Sequence, residues 1–173
     1  MSIWEHLGLK GPASTPGASE SETLRKITRA LDAMEPAQAR YLACFAFILS
    51  RVANADLHIS EQETVEMERQ VVAWGHLPEN QAILAVQIAK SQSRLFGGTE
   101  NFSVTKLFKE LAAPEQRTEL LHCLFAVSSA DDSVSVVEEN EIWKIATELG
   151  IPHSDYVAIR AAYRDKREVL RNL

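Results

Sequence analysis

Residues 52–66 read VANADLHISEQETVE, and residues 127–141 read VSSADDSVSVVEENE. Each stretch ends an apolar run with Ala-Asp, at Ala55-Asp56 and Ala130-Asp131, and then opens a new helical pattern with Ser-x-x-Glu, at Ser60 to Glu63 and Ser135 to Glu138. Asp56 and Asp131 stand 75 positions apart, and the same offset pairs Ile59 with Val134, Glu66 with Glu141 and Gly75 with Gly150. One residue later, Leu77-Pro78 pairs with Ile151-Pro152, and upstream the apolar run 41–49 meets 120–127. Each half therefore reads as apolar helix, acidic turn, amphipathic helix, Gly stop, Pro start and last helix. Repetition on this scale predicts two supersecondary units that bury their apolar faces against each other.

The remaining sequence extends this helical pattern. Leu24, Ile27, Leu31 and Met34 recur at spacings of three and four after Glu22, which gives one apolar face. Pro36 begins the next helix, where its missing N–H costs nothing. That helix is apolar nearly all round from Tyr41 to Leu49, so it is expected at the centre. A helix after Ser60 ends near Gly75, and Pro78 opens another through Ile83, Leu84, Val86 and Ile88. The segment FGGTENFS, 96–103, reads as a break, followed by a short helix carrying Val104, Leu107, Phe108 and Leu111. Pro114, Ser135 and Pro152 begin the last three. No segment sustains the two-residue alternation of a strand, so the fold class is all-α, a helical bundle of two pseudo-symmetric repeats spanning about 37–93 and 114–167.

Composition narrows the class. The chain has 173 residues, 46% hydrophobic, enough for one sizeable core. A formal net charge of −6 argues against nucleic acid as the main partner, because phosphate neutralisation needs a Lys/Arg excess on one face. The two cysteines, Cys44 and Cys123, lie in apolar helical runs and read as small buried hydrophobes. The start, MSIWEHLGLKGPASTPGASESE, lacks the cationic and apolar regions of a signal peptide, and YLACFAFILS between Arg40 and Arg51 is too short to span a bilayer. A cytoplasmic protein with no transmembrane segment is expected. Residues 1–21 read as a flexible N-terminal peptide and linker, with Ile3, Trp4, Leu7 and Leu9 able to dock on the domain or on a partner, and 22–173 as the helical domain.

The acidic turns carry the chemistry. Helix capping accounts for Ser60, Glu63, Ser135 and Glu138 taken singly, because each Ser-x-x-Glu is a capping box. Taken together, Asp56, Glu63 and Glu66 in one half and Asp131, Asp132, Glu138 and Glu141 in the other place several carboxylates around each turn. Glutamates three apart share a helix face, and converging carboxylates suit a hard divalent cation such as Ca²⁺. The spacing is not that of an EF-hand, which requires alternating oxygen ligands, an internal Gly and a Glu at the twelfth position.

ADLHISEQE, 55–63, and ADDSVSVVE, 130–138, resemble the Ala-Asp-Gly-x-Ile-x-x-x-Glu signature of the TerB-like family, the tellurite-resistance TerB proteins and their relatives. The resemblance covers roughly residues 22–166. It implies a bundle of seven to nine helices in two pseudo-symmetric halves, acidic metal-binding loops, and a role in bacterial stress responses, tellurite among them, without a catalytic activity common to all members. The motif acids it implies are Asp56 and Glu63, then Asp131 and Glu138. The family Gly is replaced by Leu57 in one turn and Asp132 in the other. Asp tolerates positive φ better than Leu, and it adds a carboxylate, so the second turn is the expected site if only one binds.

Other patterns point elsewhere. Glu119-x-x-His122 has di-iron spacing but is not repeated, since Cys44 and Phe47 stand at the equivalent positions, so His122 reads as a packed or boundary histidine. His58 lies within the first turn, and Trp74 and Trp143 sit on amphipathic helices as core or boundary residues. There is no Gly-x-Ser-x-Gly elbow or phosphate loop. Arg160, Arg164, Lys166, Arg167 and Arg171 make the last helix basic, either as an ordinary solvated face or as a dock for an acidic protein partner or an anionic membrane surface. Three readings stay open: a non-catalytic cation-binding protein, a metal-independent helical scaffold, and a metal-dependent hydrolase.

Overall fold

The computed structural model describes the backbone of residues 18–53, 61–92, 98–129 and 134–171, with side chains described in these spans apart from residues 18–21, 23, 24, 63, 91, 92, 98–101 and 164–171. Among the described residues there are eight helices and no strand: α1 Ala18–Asp32, α2 Pro36–Ala53, α3 Glu61–Gly75, α4 Glu79–Gln92, α5 Gly98–Leu111, α6 Pro114–Ser129, α7 Val136–Glu148 and α8 His153–Arg171. The all-α bundle expected from the repeat is the fold.

The local signals account for most helix ends. Pro36 and Pro114 are first-turn prolines, and Glu35 and Ala113 supply the carbonyls that accept from Ala39 and Arg117. Gln116 Oε1 reaches back to the Ala113 amide at 2.8 Å, and Arg117 Nη2 donates to the Lys109 carbonyl at 2.8 Å, so one residue pair serves the end of α5 and the start of α6. Two starts differ from the sequence reading. α1 begins at Ala18, ahead of Glu22, where early Glu residues favour a helix N-terminus. α5 begins at Gly98, so 98–103 of FGGTENFS is already helical.

The core is built on α2. Every residue from Leu42 to Ser50 is buried, as the all-round apolar pattern requires, and the helix packs against α1, α4, α5, α6 and α7. α6 is the corresponding helix of the second unit, buried from Leu120 to Ser128 except at His122. The units interlock crosswise: α3 of the first lies on α6 of the second, and α7 of the second lies on α2 of the first. An aromatic chain continues the core, from Phe108 on α5 to Tyr41 and Phe45 on α2, with centroids 5.2 and 6.4 Å away. α8 docks through Tyr156 and Tyr163 on Phe125, at 5.8 and 5.7 Å.

The two helix stops that aligned in sequence work differently. α7 ends in a Schellman motif. Gly150 takes φ 72°, its N–H donates to the Thr147 carbonyl at 3.1 Å, and the Ile151 N–H donates to Ala146 at 3.0 Å. In α3 the left-handed residue is His76, at φ 53°, one position after Gly75. Gly75 stays helical and buried, and a Cβ there would meet Phe45 Cζ at 3.0 Å. Gly75 is therefore a close-packing residue, and the one-residue gap in the repeat is the shift of the stop to His76. His76→Gly is expected to raise stability by about 1 kcal/mol and Gly150→Ala to lower it by a similar amount, because left-handed backbone strains a residue with a Cβ. Urea unfolding of the two variants beside the parent checks the opposite signs.

Candidate functional site

The site predicted from the sequence lies where α2 gives way to α3 and α6 to α7. Residues 54–60, with Asp56 and His58, and 130–133, with Asp131 and Asp132, lie outside the described residues, as does the side chain of Glu63. Three of the predicted acids are described, and each has a different task.

Glu138 is half of a capping box. Ser135 sits at the N-cap of α7 with φ −68° and ψ 158°, its Oγ accepts from the Glu138 N–H at 3.2 Å, and its own N–H donates to Glu138 Oε2 at 2.7 Å. One carboxylate oxygen thus satisfies the helix end that leaves the second acidic turn. Glu66 accepts from Gln70 Nε2 at 2.6 Å through Oε1 and lies 3.2 Å from Arg69 Nη1 through Oε2, both within α3. Those partners are one turn away on a half-exposed surface, so the pairing contributes a few tenths of a kcal/mol.

Glu141 faces the interior. Its Oε1 accepts from Arg51 Nε at 2.8 Å and lies 2.7 Å from Nη2. Glu148, two turns further along α7, takes Arg51 Nη1 on Oε2 at 2.7 Å. The same Nη1 donates to Thr105 Oγ1 of α5 at 2.8 Å. The Arg51 side chain is 5% exposed, against 21% and 19% for the two carboxylates. A guanidinium in the last turn of α2 thus ties α2, α5 and α7 together at the end that feeds the first acidic turn. The sequence reading used Arg51 only as the boundary of an apolar run. The signal for it was a cation directly following that run, matched to acids seven apart on an amphipathic helix.

A second polar–aromatic cluster joins α3, α6 and α8. His122 stacks on Trp74 with centroids 5.5 Å apart and planes at 12°, and its Nδ1 lies 3.4 Å from the Tyr163 hydroxyl. Glu119, one turn earlier, lies 3.8 Å from His76 Nε2. His122 is a packed histidine, as the unrepeated Glu-x-x-His pattern suggested. Trp143 contacts His153 and Tyr156 edge-on, at 5.0 and 4.7 Å, and Glu139 pairs with Arg160, one of the cations expected on the last helix.

Both cysteines are free and buried, and burial pushes each thiol up to about 12. For Cys44 the nearby Arg40 opposes this without reversing it. Tyr41 also rises to about 12, first through burial and then through the Glu119 charge. Unfolded thiols ionise near pH 9.0, so between that value and about 12 the folded chain holds protons that the unfolded chain has lost. Stability is therefore expected to decline as pH rises above about 9, and at pH 8 both thiols should react with an aromatic disulfide reagent only as fast as the protein opens. Urea midpoints at pH 8 and 10, with labelling rates across urea, test both.

Among the described residues no three His, Cys, Asp or Glu groups gather in a metal-holding arrangement, and no helix is long and apolar enough to cross a membrane. A family model described as tellurite resistance protein TerB matches residues 41–161. The chain belongs to the TerB family. No curated protein and no solved structure matches it. The family match covers both acidic turns, α2 from Tyr41 onward, α3 to α7 in full and the start of α8, so the doubled Ala-Asp…Glu motif lies inside the matched region of this TerB-family chain. The charged clamp of Arg51, Glu141, Glu148 and Thr105 lies inside it as well.

The donor chemistry of the second turn suits a hard cation better than that of the first. Glu138 uses one carboxylate oxygen at the cap, and Asp131, Asp132 and the other Glu138 oxygen are all hard donors within one turn of Ser135 in sequence. In the first unit Glu66 has both oxygens engaged within its own helix.

Proposed function

We propose that this TerB-family protein works by binding and not by turnover: it holds a divalent cation such as Ca²⁺ at its paired acidic turns and passes that state to a protein partner in a tellurite-type stress response. Asp131, Asp132 and Glu138 form the principal donor set, with Asp56 and Glu63 as the weaker counterpart. Glu66 and Glu141 act in support, since their oxygens are committed to Gln70 and Arg69 and to Arg51. The observation that carries this reading is the Arg51 clamp. It bonds the last turn of α2, which enters the first acidic turn, to the second turn of α7, which leaves the other. The described helix ends that adjoin the two carboxylate-rich segments in sequence are thereby braced together, which supports this reading. The described groups with displaced protons support binding over catalysis. Tyr41, Cys44, Cys123, Tyr156 and Tyr163 are all held neutral by burial, the reverse of an activated nucleophile.

Calorimetric titration with Ca²⁺, Mg²⁺ and Mn²⁺ tests the proposal. The parent is expected to bind at least one of these ions, and Asp131→Asn/Asp132→Asn is expected to lose the stronger event. That variant leaves Glu138 at its cap, so the helix start is preserved. Absence of any binding heat in the parent would leave a metal-independent scaffold, and metal-dependent hydrolysis of a phosphoester or peptide substrate would overturn the non-catalytic reading.

A further inference from the structure

We infer that Tyr163 is a redox-active tyrosine: when a one-electron oxidant reaches the half-buried Trp74, the oxidising equivalent settles on the Tyr163 ring and the phenolic proton passes to His122 Nδ1. This activity resides in the cluster that joins α3, α6 and α8 and is independent of cation binding. Three contacts carry it. The Trp74 indole meets the Tyr163 ring edge-on with centroids 5.9 Å apart, close enough for an electron to cross without a bridge. The Tyr163 hydroxyl lies 3.4 Å from His122 Nδ1, which accepts its proton when the imidazole carries its own hydrogen on Nε2. His122 in turn stacks on Trp74 at 5.5 Å with planes 12° apart, so the imidazolium formed by that transfer lies against an indole face.

Burial makes the proton acceptor decisive. Tyr163 is 6% exposed, and burial first, then the Cys123 sulfur, push its phenol above the ordinary value of 10.0. Such a phenol does not ionise first, and loss of an electron alone would leave a positive charge in apolar surroundings. Electron and proton therefore leave together, and His122 is the base in place to take the proton. Phe125 stacks on Tyr163 at 5.7 Å with planes 17° apart and shields the neutral phenoxyl ring that results. One electron moves at each step. The oxidant takes an electron from Trp74, the indole cation radical takes one from Tyr163, and the Tyr163 O–H bond breaks as an N–H bond forms on His122. A one-electron reductant reverses the sequence, and the proton returns to the phenol. Phe125 also meets Tyr156 at 5.8 Å, and Tyr156 lies 4.7 Å from the exposed Trp143. In that second pair the imidazole of His153 stacks at 6.4 Å, and among the described residues no histidine bonds the Tyr156 hydroxyl, so Tyr156 is the comparison for Tyr163.

Flash photolysis of a tris(bipyridine)ruthenium(II) dye with a sacrificial electron acceptor generates the one-electron oxidant beside the full chain and tests the inference. The parent is expected to give a phenoxyl radical, read by transient absorption and by electron paramagnetic resonance. Tyr163→Phe is expected to lose that signal and leave an indole radical, whereas Tyr41→Phe and Tyr156→Phe keep it. His122→Gln retains a hydrogen-bond acceptor but no base, and it is expected to slow phenoxyl formation by about a hundredfold. His122→Asn serves in its place where circular dichroism shows that the Gln variant is not helical. Trp74→Phe is expected to lose most of the phenoxyl yield at equal oxidant dose. A parent whose radical stays on tryptophan, a phenoxyl signal that survives Tyr163→Phe, or a rate of formation unchanged without the His122 base overturns the inference.

Discussion

Arg51→Met is expected to lower the unfolding free energy by about 3–5 kcal/mol, because it removes one partner of a nearly buried ion cluster and leaves the others in place. The lost hydrogen bonds are the smaller part. Glu141 and Glu148 would remain about four-fifths shielded with the shared guanidinium gone, and one hydrogen bond to the buried Thr105 would be lost. The carboxylates then carry a desolvation penalty that the guanidinium no longer offsets. In a chain of this length such a loss lowers Tm by roughly 10 °C. The control is Arg51→Met/Glu141→Gln/Glu148→Gln, which removes charge from all three positions at nearly constant volume. It is expected to regain most of the loss, since a buried ion cluster and a neutral replacement of similar shape differ little in net stability. Thermal unfolding of the two variants at moderate salt decides the matter. If the triple variant is no better than the single one, the cost lies in packing of the Arg51 stem and not in orphaned charge. Such burial also predicts weak screening, so added salt should move the parent's Tm little.

The readability of these features follows how local their causes are. Pro36, Pro114, Ser135 with Glu138, and Gly150 each act within a turn of their own position, and each marked a helix end in the sequence that the structure keeps. The all-round apolar run from Tyr41 to Leu49 placed α2 at the centre for the same reason, since a helix with no polar face has to be surrounded. Gly75 marks the end of α3 as the sequence indicated, but a glycine near a helix end has two uses that look alike in sequence. One is positive φ, which His76 adopts instead. The other is the absence of a Cβ, which makes room for Phe45, thirty positions earlier in the chain. The site was legible as residue types but not as assignments. Glu138 and Glu141 are three apart and share a helix face, which suggested joint work on one ion. The first reaches back to its own cap, and the second turns to an arginine 90 positions away. Nothing local distinguishes those rotamers. The partner of Arg51 is set by how the two units interlock, and that is a property of the fold.

Phe108→Ala is the second large effect, at about 3–5 kcal/mol. Phe108 is fully buried, and its ring spans the contact between α5 and the central helix, 5.2 Å from Tyr41 and 6.4 Å from Phe45. Truncation removes the transfer energy of a benzyl group and leaves a cavity between two aromatic neighbours that are anchored on α2 and cannot collapse into it. Phe108→Leu should cost much less, since a branched side chain fills most of the gap. Tyr41 reports on the event independently of global stability. Its phenol is held up to about 12 first by burial and then by Glu119, so opening the Phe108 side to water should bring its ionisation down toward the ordinary value of 10.0 while Glu119 continues to oppose that fall. Ultraviolet titration of the phenolate in Phe108→Ala, against Tyr41→Phe to identify the signal, tests this directly. A Tyr41 that still ionises near 12 in the alanine variant would mean that neighbouring side chains close over the cavity, and the stability loss should then be correspondingly small. The two readouts are tied together: α5 also carries Thr105, the hydroxyl that receives Arg51, so loosening α5 at Phe108 should weaken the ion clamp one turn away as well.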